Sequence, residues 1–253
     1  YPVALEGPVL TNRRFPDTPI TKEWLIHKGS ITQEAADFLQ DMVRAGYSIL
    51  IGGGTSSGKT TFLNALSNYI PQEERIITIE DNAELQIQGV DNLVRLEAKM
   101  SNMEGNREIT IRDLIRTALR MAPNRIIVGE IRGEEAIDLL QAWNTGHDGS
   151  MGTAHANSTR DMISRVETMV LMGISLPLEA IRRQIASGID LMVHLGRLRD
   201  RSRRVLEITE VTGYENGEVL LNPLYVWDMG KGKLVRRGEL QNWKKMKRAG
   251  IRA

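Results

Sequence analysis

The sequence predicts an α/β fold, a mostly parallel central sheet flanked by helices, and three observations point to it. Short apolar runs without polar alternation recur at Ser48 to Ile51, Arg75 to Ile79, Leu93 to Leu96 and Arg125 to Val128, as strands covered on both faces require. Segments with helical spacing, Thr110 to Met121, Glu134 to Trp143 and Ser158 to Met172, lie between or after them. A glycine-rich loop follows the first run, and an amphipathic segment, Thr61 to Tyr69, follows the loop, so strand, loop and helix come in that order.

Ahead of this core, residues 1–30 hold Pro2, Pro8, Pro16 and Pro19 among short polar segments and read as an extended interdomain linker, or as the end of a preceding N-terminal domain. The chain begins at Tyr1 without the features of a leader, and is expected to be the later part of a longer protein. From Thr32, the positions Ala35, Ala36, Phe38, Leu39, Met42 and Val43 recur at helical spacing until Gly46 stops them. The core is expected over residues 31–200. Beyond it, 201–253 reads as a small C-terminal β-hairpin and helical appendage: Leu206 to Tyr214 and Val219 to Val226 meet at Asn216-Gly217, which tolerates a tight hairpin turn, and a second turn falls at Gly230 to Gly232. The basic tail, with Trp243, Lys244, Lys245, Lys247 and Arg248, reads either as a solvated helical end with one packed tryptophan or as a docking patch.

Composition narrows the function. With 41% hydrophobic and 26% charged residues among 253, the chain can bury one sizeable core. Its formal charge of +1 supplies no global field toward nucleic acid, so no obligate nucleic-acid partner is expected. The absence of cysteine removes disulfides and thiolate metal sites, and no apolar run approaches the roughly 20 residues of a membrane-spanning helix.

Gly53-Gly54-Thr55-Ser56-Ser57-Gly58-Lys59-Thr60 matches the phosphate-cradle pattern G-x-x-x-x-G-K-[ST]. Glycines let successive backbone N–H groups turn inward, and the helix opening at Gly58 and Lys59 presents its positive end to an anion. Lys59 supplies a point charge to the β and γ phosphates and Thr60 a hydroxyl to Mg²⁺, which makes a nucleoside triphosphate with Mg²⁺ the expected ligand.

Such a loop needs carboxylates from neighbouring strand ends. Arg125-Ile126-Ile127-Val128-Gly129-Glu130 is an apolar strand ending in an acid, and Glu130 is the choice for the metal side, through water. Arg75 to Glu84 ends in three acids, Glu80, Asp81 and Glu84, at least one of which is expected to face the nucleotide; each alone reads equally well as a surface acid or helix cap. Gly146 to His155 reads as a turn and a short strand with histidines at 147 and 155, either packed or, at the strand end, sensing phosphate.

These four segments in order resemble the type II/type IV secretion ATPase superfamily, and most closely its CpaF-like branch of tight-adherence (Tad/Flp) pilus assembly, over about Arg13 to Asp190. Gly53 to Thr60 is similar to that family's Walker A, Ile79 to Leu85 to its Asp box, Ile126 to Arg132 to its atypical Walker B, and Gly146 to His155 to its His box. The resemblance implies a RecA-like P-loop NTPase in which Glu84 aligns water, Glu130 is the Walker B acid and His155 senses the γ phosphate with His147 nearby. It adds Thr61 to the nucleotide-binding set, and Arg13 and Arg14 as connector arginines that reach the phosphates. Arg116, Arg120 and Arg132 are further candidates for charge neutralisation. It also implies a cytoplasmic homohexamer at the inner face of the membrane, docked on an inner-membrane platform protein, whose ATP hydrolysis powers pilus assembly or secretion.

Two other readings stay open from the residues: a RecA-like DNA-translocating ATPase, whose turnover DNA would stimulate, and a nucleotide-gated assembly scaffold, whose output would survive Glu84→Gln. Neither an LSGGQ-like signature nor an N-K-x-D base reader is present, and adenine is expected by resemblance.

Overall fold

A computed structural model describes Gly7, Val9, Leu10 and residues 20–100 and 108–251. Helix α1 (Lys22–His27) and helix α2 (Gln33–Arg44) precede strand β1 (Ile49–Gly53) and helix α3 (Lys59–Ser67). Strands β2 (Arg75–Glu80) and β3 (Asn92–Glu97) follow, then α4 (Ile111–Ala118), β4 (Arg125–Ile131), α5 (Glu135–Asn144) and β5 (Met151–Ala154). Helices α6 (Thr159–Gly173) and α7 (Leu178–Gly188) lead to β6 (Leu191–Arg197), and β7 (Arg203–Glu215), β8 (Glu218–Asp228), β9 (Lys233–Arg236) and α8 (Lys244–Arg248) complete the described chain.

The nine strands form one sheet in the order β3-β2-β4-β5-β1-β6-β7-β8-β9. Strands β1 to β6 pair in parallel, and β7 to β9 continue the sheet antiparallel from β6. Side-chain alternation divides the core in two. Ile49 and Ile51 face one cluster with α2 and α3, while Leu50 faces the other with α4 to α7. Helices therefore cover both faces, as the unalternating apolar runs predict. Strand β1, central and fully buried, sends its C-terminal end into the glycine-rich loop, where open α/β sheets hold ligands.

Two elements depart from the sequence reading. Within the expected extended connector, Lys22–His27 forms a short helix: the last proline is Pro19, and Thr21 caps the helix by accepting from the Trp24 N–H at 3.3 Å. Helix α7 and strand β6 lie between Met172 and Leu206, where the sequence reading placed no element; α7 buries only the narrow stripe Ile181, Ile185 and Gly188. The Asn216-Gly217 turn has φ of 50° and 85°, the left-handed pair a two-residue hairpin demands.

The basic tail is tied to the opposite end of the sheet from the loop. Lys245 Nζ lies 2.7 Å from both Asp148 Oδ1 and Asp190 Oδ2, and the same Asp190 oxygen accepts from the Ser48 N–H at 2.7 Å. Met246 is buried and Trp243 packs on the core, while Lys244, Lys247 and Arg248 are exposed. Burial pushes the Asp190 carboxyl up, with Lys245 opposing. Lys245→Met is expected to lower unfolding free energy by about 1–3 kcal/mol in urea denaturation, the range for a buried polar group left without its partner. The folded-state pKa of Asp190 is raised and loss of Lys245 raises it further, so the variant takes up this proton at higher pH than the wild type and the deficit shrinks as pH falls to the wild-type folded-state pKa.

Candidate active site

The loop between β1 and α3 is shaped by what its residues lack. A Cβ on Gly53 would come within 2.5 Å of both the Leu195 carbonyl and Ser57 Oγ, so no side chain fits there. Gly58, with φ of 99°, caps α3 from the left-handed region, and Ser56 has φ of 60°. Gly54, Thr55 and Ser56 are exposed, whereas Ser57 is buried and its hydroxyl has no hydrogen-bond partner among the described residues. Lys59 is 8% exposed and folds back over the loop, its ammonium donating to the carbonyls of Gly53 (3.2 Å) and Gly54 (3.3 Å). Thr60 and Thr61 are half-buried in the first turn of α3. A concave run of backbone, a buried ammonium and a buried hydroxyl with no protein partner fit a polyanion with oxygens to share.

Beside the loop, β4 carries a bulge. Val128 pairs with Gly152 but Ile131 with Ala154, three steps against two, and the displaced pair is Gly129 and Glu130. Such a bulge re-aims a side chain at a strand end. Glu130 Oε2 accepts from Arg132 Nε at 2.8 Å and from its terminal nitrogen, and Glu130 Oε1 lies 2.6 Å from His155 Nε2. Arg132 also reaches Asp81 at 3.4 Å. The pKa of His155 is pushed down first by burial and then by the nearby Lys59 charge, with Glu130 opposing. The ring is therefore uncharged at neutral pH, a hydrogen-bonding group rather than a cation.

Glu84 is half-buried in the turn after β2, and that turn is fastened to α3: Asn64 Oδ1 accepts from the Gln86 N–H at 2.8 Å, and Asn64 Nδ2 donates to the Glu84 carbonyl at 3.4 Å. The structure thus brings Lys59, Thr60, Glu84, Glu130, Arg132 and His155 to one end of the sheet. Other residues lie elsewhere. His147 precedes β5 and contacts the Ala142 carbonyl at 3.1 Å, so the whole strand separates it from His155, contrary to the expected proximity. Arg116 is bound to Asp138 at 2.8 Å, and Arg120 follows α4 in the turn leading to the start of β4, at the far end of the sheet. Arg13 and Arg14 lie outside the described residues.

Sequence reasoning missed two contributors, Asn64 and His194, and named Glu80, buried at the end of β2, only as one of three acids without separating its role. His194 on β6 is buried, bonds the backbone of Ala156 next to His155, and has its pKa pushed down by burial, Glu207 opposing. A cavity of ≈ 260 Å³ adjoins the loop, lined among others by Trp24, Lys28, Ser57, Gly58, Thr61 and Arg203.

A family model described as "Type II/IV secretion system protein" matches residues 1–221. The chain belongs to that family. A putative conjugal transfer protein of Mycobacterium tuberculosis is 39% identical over 233 residues, 91% of this chain and 64% of that relative. The type IV secretion system protein PtlH of Bordetella pertussis is 41% identical over 177 residues, 68% of this chain and 52% of PtlH. Among solved structures, the VirB11 ATPase of the Brucella suis type IV secretion system, in complex with sulphate, is 32% identical with a TM-score of 0.63, covering 78% of this chain and 65% of that one. The chain thus spans less than two thirds of the length of these family members.

Proposed function

We propose that this chain is the ATP-hydrolysing motor unit of a homohexameric ring that powers secretion or pilus assembly. One observation carries the reading: the loop with its buried Lys59 and unpartnered Ser57 hydroxyl stands at the same sheet end as Glu84 and the Glu130–Arg132–His155 cluster. The Brucella suis relative is an ATPase, which supports it. Backbone N–H groups of Gly53 to Thr60, with Thr61, hold the phosphates, and Lys59 turns its ammonium from loop carbonyls to the β and γ oxygens. Thr60 and, through water, Glu130 hold Mg²⁺, which when bound offsets the charge of the triphosphate. Glu84 orients the attacking water, neutral His155 donates to the γ phosphate, and Arg132 exchanges Glu130 for phosphate oxygen. Arg13 and Arg14 approach from the connector. Trp24 and Lys28, in the adjoining cavity, flank the base.

In this reading residues 1–30 link to an N-terminal domain, 31–200 are the motor core and 201–253 an appendage that extends its sheet. The ring sits at the cytoplasmic face of the inner membrane on a platform protein. No helix among the described residues is long and apolar enough to cross a membrane. The full-length protein's ATPase rate, measured against oligomer size, is expected to rise with ring assembly. A folded, assembled ring that leaves ATP intact would overturn the assignment.

A further inference from the structure

The segment between β2 and β3 that bears Glu84 has no regular hydrogen-bonded structure, so side chains must set its shape. Glu80 shares this with Asn64, which holds the Glu84 carbonyl and the Gln86 N–H. Glu80 Oε1 accepts from the backbone N–H of Glu84 at 2.9 Å and of Leu85 at 2.8 Å, closing the turn on the strand that precedes it. Arg95 donates to the Leu85 carbonyl at 2.9 Å, and Leu85 itself is 1% exposed. The turn is therefore held from both sides.

Glu80 is itself only 4% exposed, an unusual place for a carboxylate, and burial raises its pKa while the two N–H bonds oppose. Merely ending a strand does not require a buried acid. Its side chain also fills the space over Gly129, where a Cβ would come 2.9 Å from Glu80 Cγ. Gly129 immediately precedes Glu130 on the bulge of β4. One side chain thus touches both acid-bearing segments.

We propose that Glu80 is a positioning residue that fixes the turn aiming Glu84 and keeps that turn in register with the strand end carrying Glu130. The inference rests on the reading of Glu84 as the water-orienting acid. Removing Glu80 leaves the loop from Gly53 to Thr60 untouched but releases the N–H groups of Glu84 and Leu85, and a misplacement of about 1 Å costs on the order of 100-fold in rate.

The test is steady-state ATP hydrolysis by the full-length protein carrying Glu80→Ala, Glu80→Gln, Gly129→Ala, the Glu80→Ala/Gly129→Ala pair, or Glu84→Gln as reference. Glu80→Ala is expected to lower kcat about 100-fold at unchanged KM for ATP, and Glu80→Gln, whose amide oxygen still accepts from both N–H groups, to recover most of it. Gly129→Ala displaces the same side chain and lowers kcat too. The pair is no worse than Glu80→Ala alone, because the clash it adds has no partner. Amide hydrogen exchange at Glu84 and Leu85 accelerates in Glu80→Ala. Wild-type kcat in Glu80→Ala beside an inactive Glu84→Gln overturns the positioning role and spares the reading of Glu84. Full turnover in Glu84→Gln overturns both. If Glu80→Ala does not fold, Gly129→Ala carries the test, and a wild-type kcat there overturns the proposal.

Discussion

Lys59→Ala is expected to reduce ATP hydrolysis by about 100- to 1,000-fold, the loss typical when one preorganised donor to developing charge is removed. Lys59 is buried at the mouth of α3, and its ammonium rests on the carbonyls of Gly53 and Gly54. Those contacts hold the buried charge over the concave face of the loop, so its removal acts in a site of low effective dielectric. ATP affinity is expected to fall as well, the same ammonium being proposed to bind the ground-state phosphates. Lys59→Arg is expected to fail similarly: a planar guanidinium cannot take the place of a compact ammonium beneath the Gly53 and Gly54 carbonyls. Normal hydrolysis in either variant would contradict the role.

Glu84→Gln is expected to separate binding from chemistry. The substitution is isosteric and leaves the backbone contacts of Glu84 with Glu80 and Asn64 available, so the turn keeps its shape. In the proposed role, what is lost is the negative oxygen that orients and polarises water, a contribution of about 100- to 10,000-fold. Single-turnover kinetics should show ATP bound with unchanged affinity and hydrolysed slowly. A variant that lost affinity in step with rate would show instead that Glu84 serves the ground state.

Sequence legibility followed the range of the interactions involved. The strand–loop–helix around Lys59 was readable because its constraints are local: Gly53 has no room for a Cβ, and Gly58 sits at positive φ. The parallel strands were readable because burial on both faces removes polar alternation, as in Ile49 to Ile51. Helix α7 was missed because its apolar stripe is only Ile181 and Ile185 with Gly188 between charged residues, and β6 because buried His194 interrupts its apolar run. The expected closeness of His147 to His155 failed because a strand, extended and unidirectional, carries its two ends apart. Glu80 and Asn64 act on backbone groups brought near by tertiary packing, and no motif records that. The visible signal was that Glu80, unlike Asp81 and Glu84, closes the apolar strand itself, Arg75 to Glu80.

In the proposed function one chain wraps the phosphates of one nucleotide with the loop beginning at Gly53. Calorimetric titration of ATP into folded, ring-competent full-length protein, with and without Mg²⁺, measures this. Saturable uptake that requires Mg²⁺ for full affinity and is lost in Lys59→Ala is expected; equal heats from the wild type and that variant, or no uptake with Mg²⁺ present, would refute the phosphate-binding role of the loop.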